Sequence, residues 1–133
     1  MIASFLVVLF AMTVPAATKT VKNVSAGTSY SVANKKATIV EKGKVTLNIR
    51  RGFLKFTAPK KKTYTFKFKT LKSAGFMPYV NCMKKSGKEL TMYQKMKLGN
   101  ESGVGYFYLP LKGYTQTVKI SLKKGQTIFF YLG

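Results

Sequence analysis

The sequence predicts an all-β fold, an antiparallel β-sandwich of jelly-roll-like kind, and three observations carry that expectation. From residue 44 onward polar and apolar residues alternate with a period of two over several stretches, the pattern of strands with one buried face. Clusters of Gly, Pro and Lys interrupt the alternation about every eight to twelve residues, as turns do in a sandwich. No stretch shows an amphipathic-helix period; Glu89–Leu98 has room for a helical turn or two. At 133 residues, 46% hydrophobic and 14% aromatic, the chain is one domain with enough apolar side chains for a packed core.

The elements follow in order. Ile2–Val14 (IASFLVVLFAMTV) is apolar and uncharged over 13 positions, short of the roughly 20 residues that span a bilayer. Small residues follow at Pro15-Ala16-Ala17, then polar Thr18-Lys19-Thr20. This is the layout of an export signal covering residues 1–16, cleaved after Ala16 or Ala17, although no Lys or Arg precedes the apolar run; a membrane anchor or a buried first strand are the other readings. Residues 17–36 read as a polar lead-in or linker, with a strand around Tyr30–Val32. Residues 37–133 form the domain. Val45, Leu47 and Ile49 share one face of a strand, Arg50-Arg51-Gly52 turns the chain, and Phe53–Thr57 is the next strand. Ala58-Pro59-Lys60-Lys61-Lys62 turns again. In Thr63–Lys69, Tyr64, Phe66 and Phe68 point one way and Thr65, Lys67 and Lys69 the other. Phe76–Met83 is a strand ended by Lys84-Lys85-Ser86-Gly87-Lys88, and Leu90–Tyr93 is a short one. Leu98–Gly103 reads as a loop and Val104–Leu109 as a strand. Val118, Ile120 and Leu122 face inward, Lys123-Lys124-Gly125-Gln126 reads as a tight hairpin, and Thr127–Leu132 finishes the chain.

The missing residues exclude much chemistry. His and Asp are absent, and the only acids are Glu41, Glu89 and Glu101. No Ser-His-Asp triad, imidazole base, His-containing zinc site or EF-hand can be assembled. Each Glu lies beside turn residues and reads as a lone surface acid. Cys82 has no His to activate it and reads as a buried structural thiol. The chain is expected to be a non-enzyme without cofactor or metal.

The stretch Gly52–Phe68 (GFLKFTAPKKKTYTFKF), the segment Pro78–Leu90 (PYVNCMKKSGKEL) and Ile120–Tyr131 (ISLKKGQTIFFY) together resemble the bacterial pre-peptidase C-terminal domains. The likeness spans about Val45–Leu132. It implies a β-sandwich that serves as a non-catalytic accessory of secreted hydrolases and surface proteins. Ala74-Gly75-Phe76-Met77-Pro78 replaces the acidic cluster that binds calcium in some members, so no calcium site carries over. The family has one more strand after its last hairpin, which implies a missing last strand. Lead-in residues fill its place, the sequence is a piece of a longer chain, or an edge stays open for β-pairing with another domain or chain.

The formal charge of +21 far exceeds the magnitude of roughly 2–8 typical of a soluble small domain. Self-repulsion on that scale points to a polyanionic partner. The cations expected to meet it are Arg50, Arg51, Lys60, Lys61, Lys62, Lys67, Lys69, Lys84, Lys85, Lys88, Lys123 and Lys124. Counting strand reversals puts Lys60–Lys62, Lys84, Lys85, Lys88 and Lys112 at one end of the sandwich. The same count puts Arg50, Arg51, Lys72, Lys95, Lys97, Lys123 and Lys124 at the other, with Lys55, Lys67 and Lys69 as a stripe between. Tyr64, Tyr79, Tyr106, Tyr108 and Phe107 could stack on bases or sugars, but their alternation with polar residues predicts core. The expected function is a secreted, extracellular or cell-surface accessory domain that attaches electrostatically to anionic polymers of the cell wall or to acidic glycans. A cationic effector acting on an anionic membrane surface and a non-specific nucleic-acid binder are the alternatives. Twenty-two lysines against two arginines disfavour nucleic acid, because Arg supplies the planar fork for phosphate and base recognition.

Overall fold

A computed structural model describes residues 3–9, 18–25, 27–49, 51–72, 78–93, 96–99, 101–103 and 105–133. In chain order the elements are β1 (Ala3–Leu9), β2 (Lys19–Thr20), α1 (Tyr30–Lys36), β3 (Thr38–Ile39), β4 (Gly43–Ile49), β5 (Gly52–Thr57), β6 (Lys62–Thr70) and β7 (Tyr79–Ser86). They continue with β8 (Glu89–Met92), β9 (Met96–Leu98), β10 (Glu101–Gly103), β11 (Tyr106–Tyr108), β12 (Thr115–Leu122) and β13 (Thr127–Leu132). One sheet, sheet A, has the order β10-β9-β12-β6-β1-β4-β2, and the other, sheet B, the order β11-β7-β13-β5-β3, with β8 also on β7. Every pairing is antiparallel except β2 with β4 and β3 with β5. The fold is the expected all-β sandwich.

Alternation fixes the core. Tyr64, Phe66 and Phe68 of β6 and Val118, Ile120 and Leu122 of β12 are buried, as are Val45 and Leu47 of β4. From sheet B, Leu54, Phe56, Val80, Cys82, Ile128, Phe130 and Leu132 meet them in one apolar cluster. Ring edges lock the two layers: Phe130 lies 5.0 Å from Phe66 and 5.3 Å from Phe68, both edge to face, the arrangement that the aromatic quadrupole favours.

β13 is buried on both faces, because the lead-in covers the outer side of sheet B. Where a strand was expected around Tyr30–Val32, the chain forms α1. Ser29 caps it, accepting from the Val32 N–H at 3.4 Å, and Lys35 and Lys36 sit in its last turn, where cations oppose the helix dipole. A helix of 7 residues is marginal alone; tertiary packing holds it. Ala33 and Ala37 pack with Val24, Phe53, Phe129 and Tyr131 in a second apolar cluster. The Lys55 ammonium donates to the Asn34 carbonyl and to Asn34 Oδ1, both at 3.0 Å.

Within the apolar start, Ala3–Leu9 is strand β1, seated between β4 and β6. The expected cleavage positions, Ala16 and Ala17, lie outside the described residues. β13 has a partner on each side, and the sheet edges are strands of two to four residues, a length that blunts edge pairing. No described helix is long and apolar enough to cross a membrane.

Candidate polyanion-binding surface

Three turns gather eight lysines at one end of the sandwich. The first, 58–61, carries the chain from β5 in sheet B to β6 in sheet A. The second, 123–126, carries it back from β12 to β13. Backbone bonds tie the two together: Gly125 N–H donates to the Ala58 carbonyl at 2.8 Å and Ala58 N–H to the Gln126 carbonyl at 2.9 Å. The register of β13 with β7 (Phe129 opposite Met83) brings the β7–β8 turn to the same end. Lys60, Lys61, Lys62, Lys84, Lys85, Lys88, Lys123 and Lys124 therefore share it. All are exposed except Lys62, which is half-buried. Three lie over rings: Lys62 at 5.2 Å from Tyr64, Lys84 at 5.9 Å from Tyr93 and Lys85 at 4.6 Å from Tyr30. Such contacts fix the direction of a flexible side chain while leaving its charge available.

This corrects the placement expected from counting reversals. Lys123 and Lys124 join Lys60–Lys62 instead of facing away from them. Lys112 lies at the opposite end, where β12 begins beside the end of β6, together with Arg51 and Lys72. The cause is β10. Glu101–Gly103, read as loop, is a strand folded against β9, and that one additional reversal flips the parity of every later turn. Lys123–Gln126 is likewise no hairpin, since the strands it joins lie in different sheets. Arg50 and Lys95 lie outside the described residues.

A second basic surface is the outer face of sheet A. Lys67 and Lys69 of β6 point outward beside Thr63 and Ser121, whose hydroxyls hydrogen-bond at 2.8 Å. Lys119 of β12 and Lys97 of β9 are exposed on it directly opposite one another. Lys55 belongs to the other sheet, beneath α1, so the expected stripe divides.

The acids stand apart: Glu41 precedes β4 in sheet A, Glu89 opens β8 on sheet B, and Glu101 is in β10. Among the described residues no group of three or more His, Cys, Asp or Glu is placed to hold a metal. Cys82 is buried in the core, and burial pushes its thiol far above the ordinary range. Tyr64 and Phe107 are core, as expected, whereas Tyr106 and Tyr108 face solvent and Tyr79 is half-buried. The run Tyr106-Phe107-Tyr108 is aromatic on both parities, so alternation alone could not say which rings face in. No family model, curated protein or solved structure matches the chain.

Proposed function

We propose that this chain is an exported or surface-attached, non-catalytic accessory domain that holds anionic polymers, of the kind its likeness to pre-peptidase C-terminal domains implies. The observation that carries the reading is the gathering of eight lysines at one end on a chain of charge +21. Lysine is a strongly hydrated point charge without a fixed hydrogen-bonding fork. It suits repeating anionic groups of variable spacing, such as wall polymers and acidic glycans. On the outer face of sheet A, Lys67, Lys69, Lys97 and Lys119 add exposed cations.

Sedimentation with purified cell walls across a salt series tests this. Binding is expected to fall steeply as the Debye length shrinks to about 3 Å near 1 M salt. Replacing Lys60, Lys61, Lys123 and Lys124 by Gln is expected to lower affinity about 10-fold or more at low salt, each cation near an anionic surface contributing up to about 1 kcal/mol. Binding unchanged from low salt to 1 M overturns the reading.

A further inference from the structure

Aromatic rings run in a row across the outer face of sheet B. Phe53 of β5 lies 4.8 Å from Tyr131 of β13, Tyr131 lies 6.3 Å from Tyr79 of β7, and Tyr79 lies 5.8 Å from Tyr106 of β11. Tyr108 ends the row, 5.5 Å from Tyr106. Neighbouring strands about 4.8 Å apart set these intervals. The lead-in and α1 cover the inner rings, but Tyr106 is 37% and Tyr108 49% exposed. Between them Phe107 points into the core at 6%, so packing of the middle residue holds both tyrosines outward. A side-chain hydrogen bond with Tyr108 raises the Tyr106 phenol above its ordinary pKa. Asn81 stands directly opposite both Tyr106 and Tyr131, and its Oδ1 is buried without a hydrogen-bond donor among the described residues.

Exposed rings at strand spacing, with hydroxyls at their rims, match one ligand chemistry. A pyranose ring offers a C–H face to an aromatic ring and hydroxyls at its rim. Charge decides which sugar. Lys112 follows Tyr108 by four positions at the same end of the sandwich, the end that also holds Arg51 and Lys72. We propose that Tyr79, Tyr106 and Tyr108 form a stacking site for an acidic polysaccharide, a uronic-acid chain whose carboxylates Lys112 and the other cations of that end balance. This rests on the polyanion reading and adds recognition of the sugar face, which charge alone does not supply.

The experiment compares the full chain with Tyr106→Ala/Tyr108→Ala for binding to polygalacturonate between low salt and 1 M, with inorganic polyphosphate as a polyanion that has no sugar face. Binding of polygalacturonate by the parent is expected to fall with salt and then level at a salt-insensitive floor. Polyphosphate binding is expected to fall without one. The double variant is expected to keep its low-salt binding of polyphosphate while the polygalacturonate floor drops about 10-fold. Tyr106→Phe/Tyr108→Phe, which keeps the rings, is expected to retain most of the floor, so that loss of fold and loss of stacking are told apart. An equal floor in parent and alanine variant, or an equal floor for polyphosphate, overturns this inference and leaves the electrostatic reading standing. No binding of either polymer at low salt overturns both.

Discussion

Gly105 stands where two short strands abut against β7. Its N–H donates to the Tyr93 carbonyl at 2.9 Å, and its own carbonyl accepts from Cys82 N–H at 2.6 Å. A Cβ there would lie 2.6 Å from the Cys82 carbonyl oxygen and 3.0 Å from that of Tyr93, and backbone atoms cannot swing aside. Gly105→Ala is expected to cost on the order of 1–3 kcal/mol, the usual range for overpacking, read as a lower urea midpoint; an unchanged midpoint contradicts the geometry. Next to it, Cys82 is expected to resist thiol reagents at pH 8 in the folded chain and to react at once in denaturant, because a buried neutral thiol is a poor nucleophile. Tyr93 answers to pH. Burial, opposed by the 2.8 Å hydrogen bond that Gln126 Nε2 donates and assisted by Cys82, pushes its phenol up to about 12. Between about pH 10 and 12 the folded chain thus keeps a proton that the unfolded chain, with a phenol near 10, has released. Stability from this group is intact below about pH 10 and drains away as pH climbs towards 12. Tyr93→Phe is expected to flatten that part of the decline, relative to the parent, while losing about 1 kcal/mol at neutral pH with the Gln126 bond. Urea titrations from pH 8 to 12 read both.

Individual strands were legible in the alternation, and their neighbours were not. Tyr64, Phe66 and Phe68 declared an inward face because polar residues separate them, and Val118, Ile120 and Leu122 did so for the same reason. A period of two states which face is buried but says nothing of which strand lies alongside. The Lys123–Gln126 turn therefore resembled a hairpin although it crosses between layers, and the three residues of β10 passed for loop. Helix α1 was hidden because its seven residues are held by the sheet beneath them, not by a helical period of their own. The lysine turns were legible as turns; their meeting at one end depended on the β10 reversal and was not. One cross-strand pair carries its own test. Lys97 and Lys119 are like charges in direct opposition, which disfavours the β9–β12 pairing. Lys119→Glu is expected to raise stability by about 0.5 kcal/mol and to weaken polyanion binding; a loss of stability would show that the pair does not repel.

At the scale of the molecule, 24 cations face 3 acids, and folding draws them together. Screening should relieve that repulsion, so the melting temperature is expected to rise by about 4 °C or more between about 0.01 and 0.5 M sodium chloride. Calorimetry that shows no rise, or a fall, would mean the charges are already far enough apart to ignore one another. A short polyanion below saturating salt is expected to give a similar rise, since a ligand that binds only the native state stabilises it. The β1 strand sets a different demand on the same molecule. Ala3–Leu9 pairs with β4 along seven residues and with β6 along five, in the interior of a sheet. The stretch that would address the chain to an exporter is thus the stretch that fills the middle of its larger sheet, and one molecule cannot spend it twice. A copy that folds early hides its own passport. Passage across a membrane would then have to outrun folding, and a processed copy would arrive with a strand-wide gap between β4 and β6.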